Sequence, residues 1–269
     1  SVLGLSRAEE EALRELVHLP HGIVLITGPT GSGKTTTLYA MLQEANEESV
    51  KIITAEDPVE YDIEGIVQVP INEEIGVTYA KVLRTVLRQD PDKILVGEIR
   101  DAETAGVAVE ASLTGHTVFS TLHTNDAPSA VTRLVDIGVE PFLITATLEA
   151  IVAPRLVRRI CPDCKTSFQP DEELLLELGA EGESLRGATF HYGRGCEACH
   201  HTGFRGRTGL FEVLRMDADL RRAILAGASG GELRGLAQAA GMTSLRTAGL
   251  RAVAEGRTTV EEVLRETLV

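Results

Sequence analysis

Tryptophan is missing from this 269-residue chain, and Phe, Tyr and Trp together make up only 4% of it. So few aromatic side chains argue against a protein that binds single strands by stacking bases on its rings. Basic residues are scarce in the first half, where residues 1–150 carry 10 Lys and Arg against 24 Asp and Glu, while the second half carries 16 of each. Such an acidic surface repels nucleic acid, so a polyanion bound there needs local backbone donors and a cation.

Long apolar runs and an export signal are also missing from the sequence. No apolar run approaches the roughly 20 residues that a membrane-spanning helix needs. The chain begins at Ser1 without a basic and then apolar leader, so no signal peptide is visible, and without Met, which is typical of a trimmed or processed fragment. Its four Cys stand in two close pairs, a pattern that favours a metal site in a reducing compartment over a disulfide framework.

Four short stretches rich in Ile, Val and Thr are predicted as buried strands: residues 23–27, 50–55, 94–97 and 117–120. Segments of helical period separate them, which indicates a parallel sheet covered on both faces. A polar or Gly-rich cluster follows each stretch. Because ligands bind at the carboxyl ends of strands in such sheets, the four clusters predict one composite site.

The second half of the chain has a different pattern. Residues 161–208 hold both Cys pairs and few apolar runs, and short helical patterns follow from Asp217 onward. The last helix has two possible starts, because Thr258 with Glu261 and Thr259 with Glu262 both fit the spacing of a capping box.

The segment 28–35, GPTGSGKT, fits the pattern G-x-x-x-x-G-K-[ST] in full. Its glycines let backbone N–H groups turn around a phosphate, Lys34 is placed to reach the β- and γ-phosphates, and the Thr35 hydroxyl can ligate Mg²⁺. An apolar strand before the loop and a helix after it favour nucleotide binding over a Gly-rich turn that matches by chance. The predicted nucleotide-binding residues of this segment are Gly28, Thr30, Gly31, Ser32, Gly33, Lys34, Thr35 and Thr36.

Acidic residues follow the second and third predicted strands. Glu56, Asp57 and Glu60 flank Pro58, which holds them in a tight bend, and Glu98 directly follows the third strand in the form of a Walker B element. Hydrolysis of a phosphoanhydride needs one group that orients water and another that anchors the metal. We expect Glu60 to be the base and Glu98 to serve Mg²⁺ and the γ-phosphate, although the reverse stays open, as does a solvated acidic turn.

Three arginines and two histidines complete the set of candidate residues. Arg84 and Arg88 share a helix face and Arg100 follows the Walker B strand, so each is a candidate arginine finger or a salt-bridged surface residue. His116 precedes the fourth strand and His123 follows it. At the carboxyl end, a neutral imidazole can sense the γ-phosphate and pass the signal to a helix that is predicted to begin near residues 125–126. A structural role is the alternative for both histidines.

The cysteines form two C-x₂-C pairs with 31 residues between them: Cys161, Cys164, Cys196 and Cys199. This spacing fits a closed, structural Cys₄ zinc site whose metal would fold a segment too rich in Gly to build a core. A redox dithiol is the alternative, and His200 or His201 could replace a ligand.

Taken in order, the segments GPTGSGKT, ITAEDPVEY, LRQDPDKILVGEIRD, LTGHTVFSTLHTNDA, the paired C-x₂-C and RGRTGLFEVL closely resemble the secretion ATPase superfamily. Its four signatures are called Walker A, Asp box, Walker B and His box. The four cysteines resemble those of the type II secretion and type IV pilus assembly branch, since the retraction ATPases generally lack them.

The resemblance implies a RecA-like P-loop NTPase core over residues 1–155, a Cys₄ zinc-binding insertion over 156–215 and a helical C-terminal subdomain over 216–269. It also implies a homo-hexameric ATPase that requires ATP, Mg²⁺ and Zn²⁺. Such a ring lies at the cytoplasmic face of the inner membrane, on a platform protein, and drives pilin or pseudopilin assembly without binding nucleic acid or inserting into the membrane. By position, Gly31, Gly33, Lys34 and Thr35 match Walker A, Glu56, Asp57 and Glu60 match the Asp box, Glu98 matches Walker B, and His116 and His123 match the His box. The four cysteines are expected to be zinc ligands, and Arg88 is the arginine candidate that we assign to the catalytic set.

One departure and two rival hypotheses remain. Family members carry N-terminal domains ahead of this segment, part of which closes over the nucleotide and supplies arginines, so a fragment alone is expected to turn over slowly. A nucleic-acid-translocating or conjugation-type ring with the same core is one rival. A scaffold that uses ATP only as an assembly clamp is the other.

Overall fold

The computed structural model describes residues 3–183 and 185–267. Within these ranges the strands are β1 (Gly22–Thr27), β2 (Ile52–Glu56), β3 (Val67–Pro70), β4 (Lys93–Val96), β5 (Thr117–Leu122), β6 (Leu148–Ile160), β7 (Lys165–Phe168), β8 (Phe190–Gly193) and β9 (Phe204–Arg215). The helices are α1 (Arg7–Val17), α2 (Lys34–Ala45), α3 (Tyr79–Val86), α4 (Ala102–Leu113), α5 (Ala127–Ile137), α6 (Pro141–Thr147), α7 (Glu172–Glu177), α8 (Ala180–Glu183), α9 (Ala218–Leu225), α10 (Gly230–Ala239), α11 (Leu245–Ala254) and α12 (Val260–Thr267). No helix in the described ranges has the length and apolar content that crossing a membrane requires.

The chain divides into two compact units. The sheet unit comprises residues 6–153 and 213–242. The cysteine unit comprises residues 154–212 and 243–267, apart from residue 184, together with residues 3–5.

The sheet unit is built on a sheet whose strands run in the order β3-β2-β4-β5-β1-β6-β9. The pairs from β3 through to β6 are all parallel. Strand β1 lies between β5 and β6, so the loop that follows it emerges near the middle of the sheet. The parallel α/β fold predicted from the sequence is confirmed, and all four predicted strands are present.

Burial explains why these short sequences form strands. Every residue of β1, β2, β4 and β5 is buried, as expected where helices cover both faces of a parallel sheet. Side-chain caps fix the helix starts: the Asp101 carboxylate accepts the Thr104 amide at 2.8 Å, and the Asp126 carboxylate accepts the Ser129 amide at 2.8 Å. The predicted start near residues 125–126 is therefore confirmed, with Asp126 as the cap.

The cysteine unit contains an antiparallel hairpin and a small apolar core. Strand β7 pairs with β8, with Phe168 opposite Phe190. Phe190 is fully buried among apolar side chains from α7, α11 and α12, the last of which contributes Val260 and Val263. A core this small gives limited stability on its own, so the rest of the unit depends on other contacts.

One of these contacts is a close approach of two backbone segments beside the cysteines. A Cβ atom at Gly193 would lie 2.0 Å from the carbonyl oxygen of Gly203, so only glycine fits there. The Cys161 amide donates to the same Gly203 carbonyl at 2.9 Å. The first contact closes the loop that carries Cys196 and Cys199, and the hydrogen bond from Cys161 joins this loop to the other C-x₂-C pair.

The start of α12 departs from a full capping box. The Thr259 hydroxyl accepts the Glu262 amide at 3.4 Å, whereas the Thr258 hydroxyl donates to the Arg158 carbonyl at 2.8 Å. The Glu262 carboxylate does not turn back to the cap, because the Arg158 amide and guanidinium both donate to it, the latter at 2.6 Å. Arg265 also contacts Glu262, whose side chain is only 2% exposed.

The buried Glu262 carboxylate, paired with a partly exposed Arg158, predicts an acid-sensitive contribution to stability. Burial of Glu262 favours its protonated form, but the hydrogen bonds and charge of Arg158 outweigh burial and lower its pKa. Because the pKa of Glu262 is lower in the folded state, its ionised form stabilises the fold at pH values above 4.5, the ordinary value for glutamate. This stabilisation is lost as the pH falls below 4.5. We expect Glu262→Gln to lower the free energy of unfolding at pH 7 by about 2 kcal/mol.

Urea titrations of the chain at pH 7 and pH 4 measure this difference. Glu261→Gln is the matched control, because Glu261 is the exposed neighbour on the same helix turn. Equal stabilities for the two variants at pH 7 would contradict the prediction.

Candidate functional site

The loop after β1 curls into a cradle of backbone amides. Gly28, Gly31 and Gly33 have φ angles of 155°, 79° and 100°, and α2 begins directly afterwards at Lys34. Gly33 is the cap of α2 and, in the described structure, no side chain caps this end. The first amides of α2 therefore face the loop and provide the positive end of a helix for an anion.

Two side chains of the loop fit a phosphate. Ser32 is 4% exposed, and its hydroxyl oxygen is buried without a hydrogen-bond partner among the described residues. The Lys34 ammonium group donates to the loop carbonyls of Gly28 and Pro29 at 2.8 and 3.0 Å. A buried, orphaned hydroxyl, an ammonium group and a helix terminus form the donor set that suits a phosphate chain. Thr30, Thr35 and Thr36 are exposed on the same loop and first helix turn.

Glu98 and His123 lie at the ends of the strands next to this loop. Glu98 follows β4, and its side chain is only 12% exposed. Arg100 forms an ion pair with one carboxylate oxygen, and His123 Nε2 lies 3.5 Å from the other. The Thr121 hydroxyl donates to the Gly97 carbonyl at 2.7 Å, which ties this turn to β5. The structure therefore brings Glu98 and His123 together.

Tyr39 of α2 joins the loop helix to the acidic turn after β2. Its hydroxyl donates to the buried Glu56 carboxylate, which also accepts hydrogen bonds from Thr54 and, at 3.1 Å, from Gln68 Nε2. The Glu60 amide donates to the Tyr39 hydroxyl oxygen at 3.2 Å. Burial and the hydrogen bond to Glu56 raise the pKa of Tyr39. The Glu56 carboxylate is therefore engaged within the protein.

The two other acids of this turn face solvent. Asp57 and Glu60 are both exposed, and the Asp57–Pro58 peptide bond is cis. The amide of Glu60 is fixed on Tyr39, while its carboxylate remains accessible. Glu60 is thus held by its backbone and presents its side chain at the carboxyl edge of the sheet.

Tyr79, the first residue of α3, packs on the Walker B turn. A Cβ atom at Gly97 would lie 2.8 Å from the Tyr79 hydroxyl, so glycine is needed for this close approach. Burial first, and then the charges of Glu98 and Asp57, raise the pKa of Tyr79. Tyr39 and Tyr79 are the site residues that the sequence analysis missed. Tyr39 lies in the middle of the helix that follows the phosphate loop, and Tyr79 begins the helix that precedes the Walker B segment; closeness to a signature segment is the only sequence signal for them.

Two predicted site residues lie at the opposite edge of the sheet. The carbonyl of His116 accepts the amide of Gly22, the first residue of β1, so about 17 Å of strand separates it from the loop. Its ring contacts the Ala111 carbonyl at 2.9 Å and closes the end of α4. Arg88 follows α3 and comes before β4, whose first residue lies at the same edge. Neither residue joins Glu98 and His123 within the same chain. Arg88 and His116 precede β4 and β5, whereas Glu98 and His123 follow these strands, so the two sets lie at opposite ends of the parallel strands.

The remaining arginine candidates are both paired. Arg84 forms an exposed ion pair with Glu103 at 2.8 Å. The hydrogen bond and charge of Glu98 raise the pKa of Arg100 despite partial burial. Of the arginine candidates, Arg100 is the one that contacts a residue of the cluster.

The four cysteines of the cysteine unit lie together in a second site. Their sulfur atoms lie within 4.8 Å of one another, and Sγ–Sγ distances are 3.8 Å for Cys161–Cys196, 3.9 Å for Cys164–Cys199 and 3.7 Å for Cys196–Cys199. Four thiolates at 2.3 Å from one zinc ion in a tetrahedron lie about 3.8 Å apart. The spacing thus fits zinc and is too long for disulfide bonds, and all four thiols are free.

The hydrogen bonds around the cluster favour a thiolate. The amides of Cys196 and Gly203 donate to the Cys199 sulfur at 3.2 and 3.3 Å. Burial opposes ionisation of Cys199, but these amides and the neighbouring thiols lower its pKa to about 6. Burial raises the pKa of Cys164 to about 12 in the same group. His200 and His201 are exposed and lie outside the four-sulfur cluster.

Comparison with known proteins agrees with this geometry. The family model described as Type II/IV secretion system protein matches residues 1–265. The chain is 51% identical over 265 residues to Type II secretion system protein E of Pseudomonas aeruginosa, covering 98% of this chain and 52% of that protein. It is 48% identical to Type IV pilus assembly ATPase PilB of Thermus thermophilus, covering 99% of this chain and 30% of that protein. The chain thus spans about half the length of the first of these relatives and less of the second.

Solved structures show the same fold. The pilus retraction motor PilT with bound ADP matches with a TM-score of 0.72 at 29% identity, over 98% of this chain and 65% of that one. The ATPase DotB of Legionella pneumophila matches with a TM-score of 0.69 at 25% identity, over 97% of this chain and 63% of that one. With a family model that covers nearly the whole chain and relatives near 50% identity, this chain belongs to the Type II/IV secretion system protein family.

Proposed function

We propose that this chain is the ATP-hydrolysing core of a motor that powers type IV pilus assembly or type II secretion. One observation carries the proposal. At the carboxyl ends of the parallel strands, the amide cradle with Lys34 and Ser32 lies beside the Glu98–His123 pair. A polyphosphate bound in the cradle would meet an acid and an imidazole at neighbouring strand ends. This is the arrangement that phosphoanhydride hydrolysis requires.

Each residue has a distinct role in this proposal. The loop amides and Lys34 neutralise the phosphate oxygens, and the Thr35 hydroxyl would hold Mg²⁺, which supplies positive charge at the phosphates when bound. Glu60, with its amide fixed on Tyr39, orients the attacking water and accepts its proton. Glu98, paired with Arg100 and His123, would serve the metal and the γ-phosphate.

The wider assembly is also part of the proposal. Type IV pilus assembly ATPase PilB and Type II secretion system protein E are the relatives whose names suggest the machine. A homo-hexamer on the cytoplasmic side of the inner membrane, docked on a platform protein, would convert closure of the site into pilin or pseudopilin assembly. The acidic first half disfavours a nucleic-acid partner.

In the cysteine unit, Zn²⁺ is the proposed resident metal. Cys161, Cys164, Cys196 and Cys199 would hold it, and four protein ligands leave no open coordination position. The metal would cross-link two chain segments and would have no catalytic role. The N–H groups that reach Cys199 would support its negative charge.

Lys34→Ala tests the hydrolytic function. Because the ammonium group is proposed to neutralise charge on the transferred phosphoryl group, we expect the turnover of ATP to fall by at least about 100-fold. Phosphate release by the full-length, assembled protein measures this. Lys81→Ala is the matched control, since Lys81 also donates to a glycine carbonyl, that of Gly76 at 2.9 Å, but from α3. Unchanged turnover in Lys34→Ala would remove the proposal.

The roles of the two acids predict different defects. If Glu60 is the base, Glu60→Gln lowers kcat by about 100-fold or more while ATP affinity stays within a few-fold. If Glu98 serves the metal, Glu98→Gln raises the Mg²⁺ concentration that gives half-maximal turnover. Glu64→Gln, a change of an exposed acid nearby, is the control. Normal turnover in Glu60→Gln would assign the base to another residue.

Elemental analysis tests the metal. We expect about one zinc ion per chain, lost in Cys164→Ser together with a marked fall in melting temperature, because metal binding contributes to folding here. His201→Asn is the matched control, since Asn tolerates the left-handed backbone of residue 201 and this histidine lies outside the cluster. Fully folded protein without metal would contradict the prediction.

A further inference from the structure

An ion pair between a partly exposed arginine and a buried carboxylate connects helix α10 to the turn after β5. The Asp126 side chain is 1% exposed, and the Arg234 guanidinium of α10 donates to its Oδ2 atom. The other oxygen of Asp126 caps α5 through the Ser129 amide. One carboxylate therefore fixes both the start of α5 and the position of α10 in the sheet unit. A buried carboxylate depends strongly on its partner, because removing one charge of such a pair leaves the other uncompensated.

The same turn is bonded to the root of the phosphate loop. The hydroxyl groups of Thr124 and Thr27 lie 2.7 Å apart, and the Thr124 amide donates to the Thr27 hydroxyl at 3.0 Å. The Thr124 hydroxyl also donates to the Asp126 carbonyl at 2.9 Å. Thr27 is the last residue of β1, directly before Gly28. Hydrogen bonds thus link Arg234 to Asp126, Asp126 to Thr124, and Thr124 to Thr27, the residue directly before the phosphate loop.

His123 is the chain neighbour of Thr124 in this series. It stands between Leu122, the last residue of β5, and Thr124, and its ring faces Glu98 at 3.5 Å. Its ring is 53% exposed, so little packing holds it and its position depends on the backbone of the turn. Any displacement of Asp126 moves the backbone on which His123 is mounted.

We propose that Arg234 is a positioning residue for hydrolysis, which acts through Asp126 and Thr124 on His123 and on the root of the phosphate loop. A change in the position of helix α10 then changes the placement of His123 and of the phosphate loop, and with it the rate of turnover. The proposal rests on the ATPase function proposed above. It assigns to the C-terminal part of the sheet unit an indirect influence on the site, through Asp126.

Arg234→Gln tests the proposal in the full-length protein. We expect kcat for ATP hydrolysis to fall about tenfold while KM changes by less than about threefold, because catalytic groups are displaced and the loop amides that bind phosphate remain. Arg221→Gln is the matched control. Arg221 of α9 pairs with Glu149 at 3.2 Å and is buried to a similar degree, but it does not contact the turn after β5. Equal losses of kcat in the two variants, in proportion to lost thermal stability, would overturn the proposal.

The double variant separates the route from a general loss of stability. Asp126→Asn keeps the cap of α5, since Asn is as good a cap as Asp, but removes the charge. In the Asp126→Asn background, Arg234→Gln should cause little further loss of kcat. In the parent, Arg234→Lys should lower kcat less than Arg234→Gln does, because Lys keeps the positive charge. Additive losses would overturn the proposed route.

Amide hydrogen exchange provides a readout that does not require hydrolysis. Peptides covering residues 27–33 and 122–128 should exchange faster in Arg234→Gln than in the parent, and should be unchanged in Arg221→Gln. If the parent protein releases no phosphate, the ATPase proposal fails, and the exchange measurement still decides the coupling. Unchanged exchange in both peptides would overturn it.

Discussion

The parallel hydrogen-bond register of β4, β5 and β1 is the constraint on which the site in the sheet unit depends. Val96 lies opposite Ser120, and Ser120 lies opposite Leu25, so the three strands reach the same edge at nearly the same level. Each strand then leads into a different chemical group: an acid, an imidazole and a cradle of amides. Neighbouring strands lie about 4.8 Å apart, so these groups meet without any loop having to reach far.

Buried carboxylates provide the second level of organisation, and each has a defined set of donors. Glu56 is bound by Tyr39 and Gln68, and Asp126 by the guanidinium of α10, while in the other unit Glu262 is bound by Arg158. Desolvating a carboxylate is costly, so these arrangements are stable only when every donor is in place. The positions of several helices are therefore fixed by charge as well as by apolar packing.

Periodicity and motif spacing were sufficient to predict the parallel sheet, its four central strands and the cysteine cluster. Strand β3 was missed because it is an outermost strand of the sheet, is only partly buried and ends in Pro70, so it lacks a continuous apolar pattern. The sequence could not show that Tyr39 binds Glu56, since that contact joins residues brought together only by the sheet. His116 was grouped with His123 because both match the His box of the resembled family, yet β5 separates them, and they lie at opposite ends of that strand. The roles of Glu60 and Glu98 remain predictions.

Under the proposed function, the uncapped start of α2 makes the stability of the sheet unit depend on bound nucleotide. Because Gly33 has no side chain to satisfy the first amides of this helix, a phosphate bound there completes hydrogen bonding that the polypeptide leaves unfinished. A ligand that binds only the folded form adds RT ln(1 + [L]/Kd) to stability, or about 2.7 kcal/mol at a hundredfold excess over Kd. Under the proposed function, the sheet unit therefore gains resistance to heat and proteolysis when nucleotide is bound and loses that gain when nucleotide is scarce.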